Sequence, residues 1–322
     1  MKVLTGRNVN YLLPQGMNSL LQMGGYISPR GLSTLEYPGQ VVSIYERPTE
    51  RVLFDPVRDA NPFFHFMEGL WIIGGRQDVE FVSEFNSRIK DYSDDGVKFH
   101  GAYGHRLRNK FDQVGKAIEM LRKDPDTRRV VLQIWDAKRD LGADVKDVPC
   151  NDLIILKVRE CALHMTVCCR SNDAIWGCYG ANVVHFSMLQ EYMASMIGVN
   201  VGEYVQISDS FHVYNDNPYW KKVKENIGLV GELEEDPYSS RIVSPWPMVQ
   251  DPETWDRELY CFLNQHTCNY KNSFFTQVAI PIHLAWMSHK HDNSGHLFVS
   301  DIAASDWRMA CHEWLERRGD HV

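Results

Sequence analysis

Residues 148–198 read VPCNDLIILKVRECALHMTVCCRSNDAIWGCYGANVVHFSMLQEYMASMIG, and this stretch decides the fold. Leu153–Val158 and Leu163–Cys169 are short, apolar and rich in β-branched residues, which predicts two strands joined by the polar pair Arg159-Glu160. After Arg170-Ser171-Asn172-Asp173 the apolar period changes. Val183, Phe186, Leu189, Met193, Met196 and Ile197 fall on one side of a helix over Asn182–Ile197, and Gly198 is its natural stop. Strands followed by a long apolar helix predict an α/β (α+β) fold.

Upstream, residues 61–73 (NPFFHFMEGLWII) predict a buried helix ended by Gly74-Gly75, and Asp78–Phe85 a short second one. Phe111–Lys123 places Phe111, Val114, Ile118 and Leu121 at helical period, and Asp124-Pro125-Asp126 stops it. Val130–Trp135 reads as a strand, as do Tyr204–Ile207 and His212–Tyr214. Residues 215–275 are rich in Pro and Trp. Beyond them, Val278–Leu284 and Leu297–Val299 are expected as strands and Trp307–Arg317 as a terminal helix. No repeat, low-complexity tract or linker divides the chain, so residues 1–322 are expected to form a single domain.

The composition fits a folded protein: 44% hydrophobic and 24% charged residues argue against disorder and coiled coil. A net charge of −8 argues against a nucleic-acid polymer as partner, while leaving room for a local basic pocket. None of the eight cysteines stands in C-x-x-C, and Met1-Lys2-Val3-Leu4 runs into polar residues without an apolar leader. A reduced, cytoplasmic protein is therefore expected. No apolar run approaches the ~20 residues of a membrane helix, so no membrane partner is expected.

Four clusters could carry chemistry. Asp124-Pro125-Asp126-Thr127-Arg128-Arg129 puts two planar guanidinium forks at a turn, which suits a phosphate, although charge pairs on loops are common. Val148-Pro149-Cys150-Asn151 holds a thiol at the edge of a strand; alone, such a cysteine is more often a buried structural one. Arg170-Ser171-Asn172-Asp173 leads to Asn182 at a helix start, where an amide either caps the helix or reads a heterocycle edge. In Asp209-Ser210-Phe211-His212-Val213-Tyr214 the strand period sets His212 and Tyr214 on one face, able to share a sugar hydroxyl or to pair within a core.

The order of these clusters is more specific than any one of them. PDTRR before a strand, then PC, then RSND…AN into a helix, then DSFHVY resembles the thymidylate synthase superfamily, on the side of its pyrimidine nucleotide hydroxymethylases. Glu68-Gly69-Leu70-Trp71 is similar to that family's E-L-L-W helix and Gly101-Ala102-Tyr103-Gly104 to its G-P-V-Y-G turn. The resemblance implies a homodimer whose mixed sheets pack face to face. Arg128 and Arg129 would then reach across the interface to the partner's nucleotide phosphate, which Arg30, Arg170 and Ser171 bind from within the subunit. It implies Cys150 as the nucleophile that adds to pyrimidine C6, with Arg170 favouring its thiolate. Glu68 would organise water and proton transfer near O4, and Tyr103 would assist removal of the C5 proton. Asn182 would read the base, and His212 and Tyr214 the sugar. The cosubstrate would be 5,10-methylenetetrahydrofolate, near Asp173, Gly177 and Lys90, with no metal.

Three departures from the synthase pattern bear on the reaction. Lys90, in Ile89-Lys90-Asp91-Tyr92, stands where synthases carry a tryptophan that screens the C5 methylene from water. Asn151 replaces a histidine after the cysteine, and the tail Arg317–Val322 is unlike the synthase tail. Together they point to 5-hydroxymethylation of a pyrimidine nucleoside monophosphate, and Asn182 favours dUMP. Reductive methylation of dUMP and hydroxymethylation of dCMP or CMP remain open at this point. A non-catalytic nucleotide binder has no use for Cys150. A zinc site built from Cys268, His283, His289, His291 and His296 lacks the usual ligand spacing.

Overall fold

The computed structural model describes residues 1–109, 111–225 and 236–320. Its sheet comprises β1 (Lys2–Gly6), β2 (Gly25–Ile27), β3 (Thr34–Glu36), β4 (Val41–Tyr45), β5 (Val130–Gln133), β6 (Asn151–Arg159), β7 (Ala162–Asp173) and β8 (Asn200–Tyr214). The spatial order is β1-β4-β8-β7-β6-β5, and β8 also carries the β2–β3 hairpin through β3. β1–β4 and β7–β8 are parallel and the other pairs antiparallel, so the sheet is mixed as expected.

The two expected strand pieces at 204–207 and 212–214 are one strand of 15 residues. The polar Ser208-Asp209-Ser210 between them does not break it, because the ladder continues there to Val41 on one side and to Cys169 and Ser171 on the other. The β6–β7 turn is also one residue later than expected: Arg159 pairs with Ala162, and Glu160 and Cys161 form the two-residue loop.

Period two sorts the sheet into two faces. Leu132, Ile154, Val167, Gln206, Ser43 and Leu4 form one buried row running across β5, β6, β7, β8, β4 and β1. The helix Asn182–Ile197 is buried almost all round and packs against β7, β8 and the helix Pro62–Ile73, which explains its apolar composition on every side. It ends where Gly198 takes the left-handed conformation (φ 89°) and its N–H bonds to the Ala194 carbonyl. Pro62–Ile73 starts where the Asn61 side chain accepts from the Phe64 N–H at 3.1 Å. Buried side chains from Leu4 to Leu315 belong to one contiguous cluster.

The opposite face of the sheet carries Val131, Ile155, Thr166, Val205, Ile44 and Thr5 in one row. Leu153, Cys168, Ile207, Val42 and Val3 lie in the next, and none of the eleven is buried. This is an apolar sheet face that no helix among the described residues covers over these rows.

Two expectations fail. Residues 275–299 hold no strand: a π-helical turn Phe275–Ala279 runs into the helix Ile280–Asp292, followed by the short helix His296–Val299. Pro281 sits in the first turn of its helix, where its missing N–H costs nothing. Phe111 is 64% exposed and outside the helix Gln113–Lys123, which Asp112 caps through the Gly115 N–H. The terminal helix is present as Ser305–Glu316, and His321 and Val322 of the tail lie outside the described residues.

Candidate active site

An open cavity of about 830 Å³ lies where the ends of β7 and β8 meet the helices Pro62–Ile73 and Asn182–Ile197. That is room for two small-molecule reactants. Cys150, Glu68, Tyr103, Asp173, Asn182, Arg30, Arg170, Ser171, His212 and Tyr214 all line it.

Cys150 precedes β6 on a loop clamped by Arg170. The Arg170 N–H donates to the Cys150 carbonyl at 3.0 Å, Nε to the Pro149 carbonyl at 2.9 Å and Nη2 to the Val148 carbonyl at 3.1 Å. The guanidinium lies over the Trp135 ring, 5.4 Å from its centroid. Arg170 thus positions the thiol as well as facing the cavity. It does not by itself make a thiolate. Burial pushes the Cys150 thiol above its ordinary range; Arg170 and Arg30 oppose the shift, and Asp147 and Asp152 reinforce it. Burial also pushes Asp152 up to about 6, against the pull of Arg170.

Asn182 opens its helix but caps nothing with its side chain; Ala181 holds the N-cap position. Its Oδ1 accepts from Asn151 Nδ2 at 3.3 Å and its Nδ2 donates to Asn172 Oδ1 at 3.2 Å, while Asn172 Nδ2 donates to Ser208 Oγ at 2.9 Å. One lone pair and one N–H of Asn182 are left. Gly177 does not line the cavity. It backs this amide chain, where a Cβ would stand 2.6 Å from Asn172 Oδ1 and 3.1 Å from Asn182 Nδ2.

Asp173 Oδ1 accepts the N–H groups of Ile175 (2.7 Å) and Trp176 (2.8 Å), capping the π-helical turn Ala174–Ala181. Its Oδ2 is buried without a partner among the described residues. Burial raises its pKa, opposed by those N–H groups, His212 and Arg58. Tyr103 begins the helix Tyr103–Arg108; burial and the neighbouring Cys150, Cys169 and Asp147 hold it as a neutral phenol, with the Asn151 amide opposing.

His212 and Tyr214 share a face of β8 as the strand period requires, their rings edge to face at 5.5 Å. His212 Nδ1 is tied to Ser210, whose hydroxyl bonds to Glu36 of β3. Arg30 occupies the turn between β2 and β3 with φ 53°, a left-handed backbone that disfavours a residue with a Cβ by roughly 1–2 kcal/mol. Such local strain is a feature of ligand-facing turns.

Three expected residues lie elsewhere. Lys90 is exposed on the 3₁₀ segment Ser87–Tyr92, and Ile89 and Tyr92 line the cavity in its place. Arg128 and Arg129 are exposed on the turn before β5, away from the cavity of their own subunit. Of the histidines of the zinc reading, two meet at one carboxylate and the others lie apart. His289 and His296 both bond Asp320 (2.9 and 2.6 Å), His283 packs on Phe85 and Phe262, and His291 is exposed. Among the described residues no group of three or more His, Cys, Asp or Glu is placed to hold a metal, and no helix is long and apolar enough to cross a membrane.

Sequence reasoning missed His185. Its Nε2 lies 2.8 Å from Glu68 Oε2, and both side chains line the cavity. The spacing was available: His185 is three residues after Asn182, on the same face of one helix. Asn172, which acts through Asn182, and Glu36, which lines the cavity and bonds Ser210, were also missed.

The family model described as thymidylate synthase matches residues 61–246. The chain is 44% identical over 334 residues to a deoxyuridylate hydroxymethyltransferase of Pseudomonas phage M6, covering 99% of this chain and 95% of the relative. It is 35% identical over 283 residues to a protein of the same name from Bacillus phage SP01, covering 83% and 73%. A third, from Delftia phage PhiW-14, is 35% identical over 52% of this chain and 50% of its own length.

Proposed function

The chain belongs to the thymidylate synthase family, and from that premise we propose that it transfers a hydroxymethyl group to C5 of dUMP, using 5,10-methylenetetrahydrofolate and water. The observation that carries this reading is the meeting of Cys150, Glu68 and the fixed Asn182 amide in one cavity. The folate supplies the one-carbon unit. Asp173 Oδ2, a buried acceptor without a protein partner, suits the N–H groups of a pterin, and Ile72, Trp71 and Ile89 give it an apolar wall.

Cys150 adds to C6, and the pair displaced from C5=C6 makes C5 the nucleophile toward the one-carbon unit. Arg30, Arg170 and Ser171 hold the phosphate through charge-assisted hydrogen bonds. As a neutral phenol Tyr103 orients water at the C5 proton rather than acting as a phenolate. Uracil is favoured over cytosine because Asn182 presents its spare lone pair to N3–H and its spare N–H to O4. Turning the amide over would set its oxygen against Asn172 Oδ1 and its nitrogen against Asn151 Nδ2. Hydration rather than reduction is supported by the likeness to the phage hydroxymethyltransferases, not by Lys90, which faces solvent.

The reading includes a homodimer of single-domain subunits. The uncovered apolar face of the sheet supports it, with Arg128 and Arg129 at the edge of that face just before Val130. Product analysis tests the reaction: dUMP and methylenetetrahydrofolate should yield 5-hydroxymethyl-dUMP and tetrahydrofolate. Dihydrofolate with dTMP would make the reaction a reductive methylation. Faster turnover of dCMP than dUMP would overturn the assignment of the base.

A further inference from the structure

We propose that His185 is the catalytic base of the hydration step, taking the proton from the water that adds to the C5 methylene, with Glu68 as its electrostatic partner. This rests on the hydroxymethylase reading. His185 is 3% exposed, and Glu68 comes to it from the facing helix. The 2.8 Å approach of Nε2 to Oε2 is close but not aligned as a hydrogen bond: both ring nitrogens of His185 and Oε2 of Glu68 are buried without a hydrogen-bond partner among the described residues. A structural histidine this deep would have its nitrogens paired. Asn182, one turn earlier on the same helix, has both amide atoms bonded. The three unpaired atoms border the cavity beside the residue that reads O4, and O4 adjoins C5 on the ring. Polar atoms in that position suit a reactant water.

The step balances. Water oxygen bonds to the methylene carbon while its O–H bond breaks, and the proton goes to His185. The C5=CH2 electron pair shifts to O4 as an enolate, which Asn182 faces. The enolate then re-forms C5=C6 and expels the Cys150 thiolate, and the imidazolium beside Glu68 returns its proton to solvent. A carboxylate in contact with the ring stabilises the imidazolium that forms.

Single-turnover kinetics with enzyme in excess over [5-³H]dUMP separate this step from those before it. Tritium release reports loss of the C5 proton, and 5-hydroxymethyl-dUMP reports hydration. For His185→Gln, tritium release should stay within about threefold of the unsubstituted enzyme while product formation slows about a hundredfold. An added thiol should then capture the waiting methylene as a C5 thioether. The tritium burst counts active sites, so partial misfolding does not distort the comparison, and His185→Asn gives the same ratio if the Gln variant is insoluble. Equal slowing of both rates, or unchanged hydration, overturns the inference. Formation of dTMP by the unsubstituted enzyme would instead sink the hydroxymethylase reading on which it rests.

Discussion

Cys150 shows how a proposed nucleophile can be named by its neighbours in sequence while its ionisation is set by the fold. The motif gave Arg170 as a cation favouring the thiolate. In the folded chain burial outweighs Arg170, and the carboxylates Asp147 and Asp152 add to burial. Removing one of those charges should therefore free the thiolate. Asp152→Asn is expected to speed alkylation of Cys150 by iodoacetamide at pH 7.5 about three- to tenfold, and Arg170→Met to slow it, since one pKa unit is about tenfold in thiolate. The rate is read by mass spectrometry on the peptide that contains Cys150, which separates it from the other seven cysteines. Unchanged alkylation in Asp152→Asn would show that the Asp152 charge does not act on the thiol. The same substitution has a signed effect on stability. A carboxyl raised to about 6 in the fold holds its proton more tightly than in the unfolded chain, so its ionisation costs stability as pH rises from about 4 to above 6. Asp152→Asn should then raise the melting temperature at pH 7.5 and leave it unchanged at pH 4; the gain is small because Asp152 is partly solvated.

At the scale of elements, what was legible depended on whether one element decides a residue's direction. His212 and Tyr214 sit on a long strand, so period alone put them on one face, whereas Asn182 was named by its motif at the start of a long helix. Lys90 sits on a 3₁₀ segment, where residues three apart eclipse. Ile89 and Tyr92 therefore share the cavity side and Lys90 falls off it, which no alignment of motifs can foresee. Residues 278–299 were misread because short apolar runs fit a strand or a buried helix equally well, and only the continuation through Ala285 and Trp286 settles the period. The β6–β7 turn was displaced by one residue because its loop lacks the usual Asn-Gly signal: Glu160 and Cys161 take φ 52° and 57°. A two-residue hairpin loop with both φ positive favours Asn-Gly. The double substitution Glu160→Asn, Cys161→Gly should raise unfolding stability by about 1 kcal/mol, measured by urea titration at one fixed protein concentration. A loss of stability would mean that the Cys161 side chain contributes packing that its exposed position does not suggest.

The whole molecule poses a question that no single subunit answers: why two adjacent arginines lie outside the basic pocket of an acidic chain. Arg128 and Arg129 precede β5, and β5 begins the rows Val131–Ile155–Thr166–Val205–Ile44 that no helix among the described residues covers. A second copy packed on that face would cover the apolar rows and bring the arginines to the edge of the partner's sheet. If they complete the partner's phosphate site, the defects of two inactive variants must complement. Cys150→Ala lacks the nucleophile, and a double variant with Arg128→Ala and Arg129→Ala lacks the crossing cations. Each alone should be close to inactive. Equal amounts, unfolded together and refolded, give heterodimers as half of all dimers. One of the two sites in each heterodimer then draws its cysteine from one subunit and its arginines from the other. Recovery of about a quarter of the unsubstituted activity is the expected outcome for a two-fold dimer with arginines in trans. If the arginines served their own subunit, every site in the heterodimer would carry one defect and mixing would restore nothing. Subunits that exchanged, shown by a mass tag on one variant, yet recovered no activity would overturn the crossing of Arg128 and Arg129 to the partner's site.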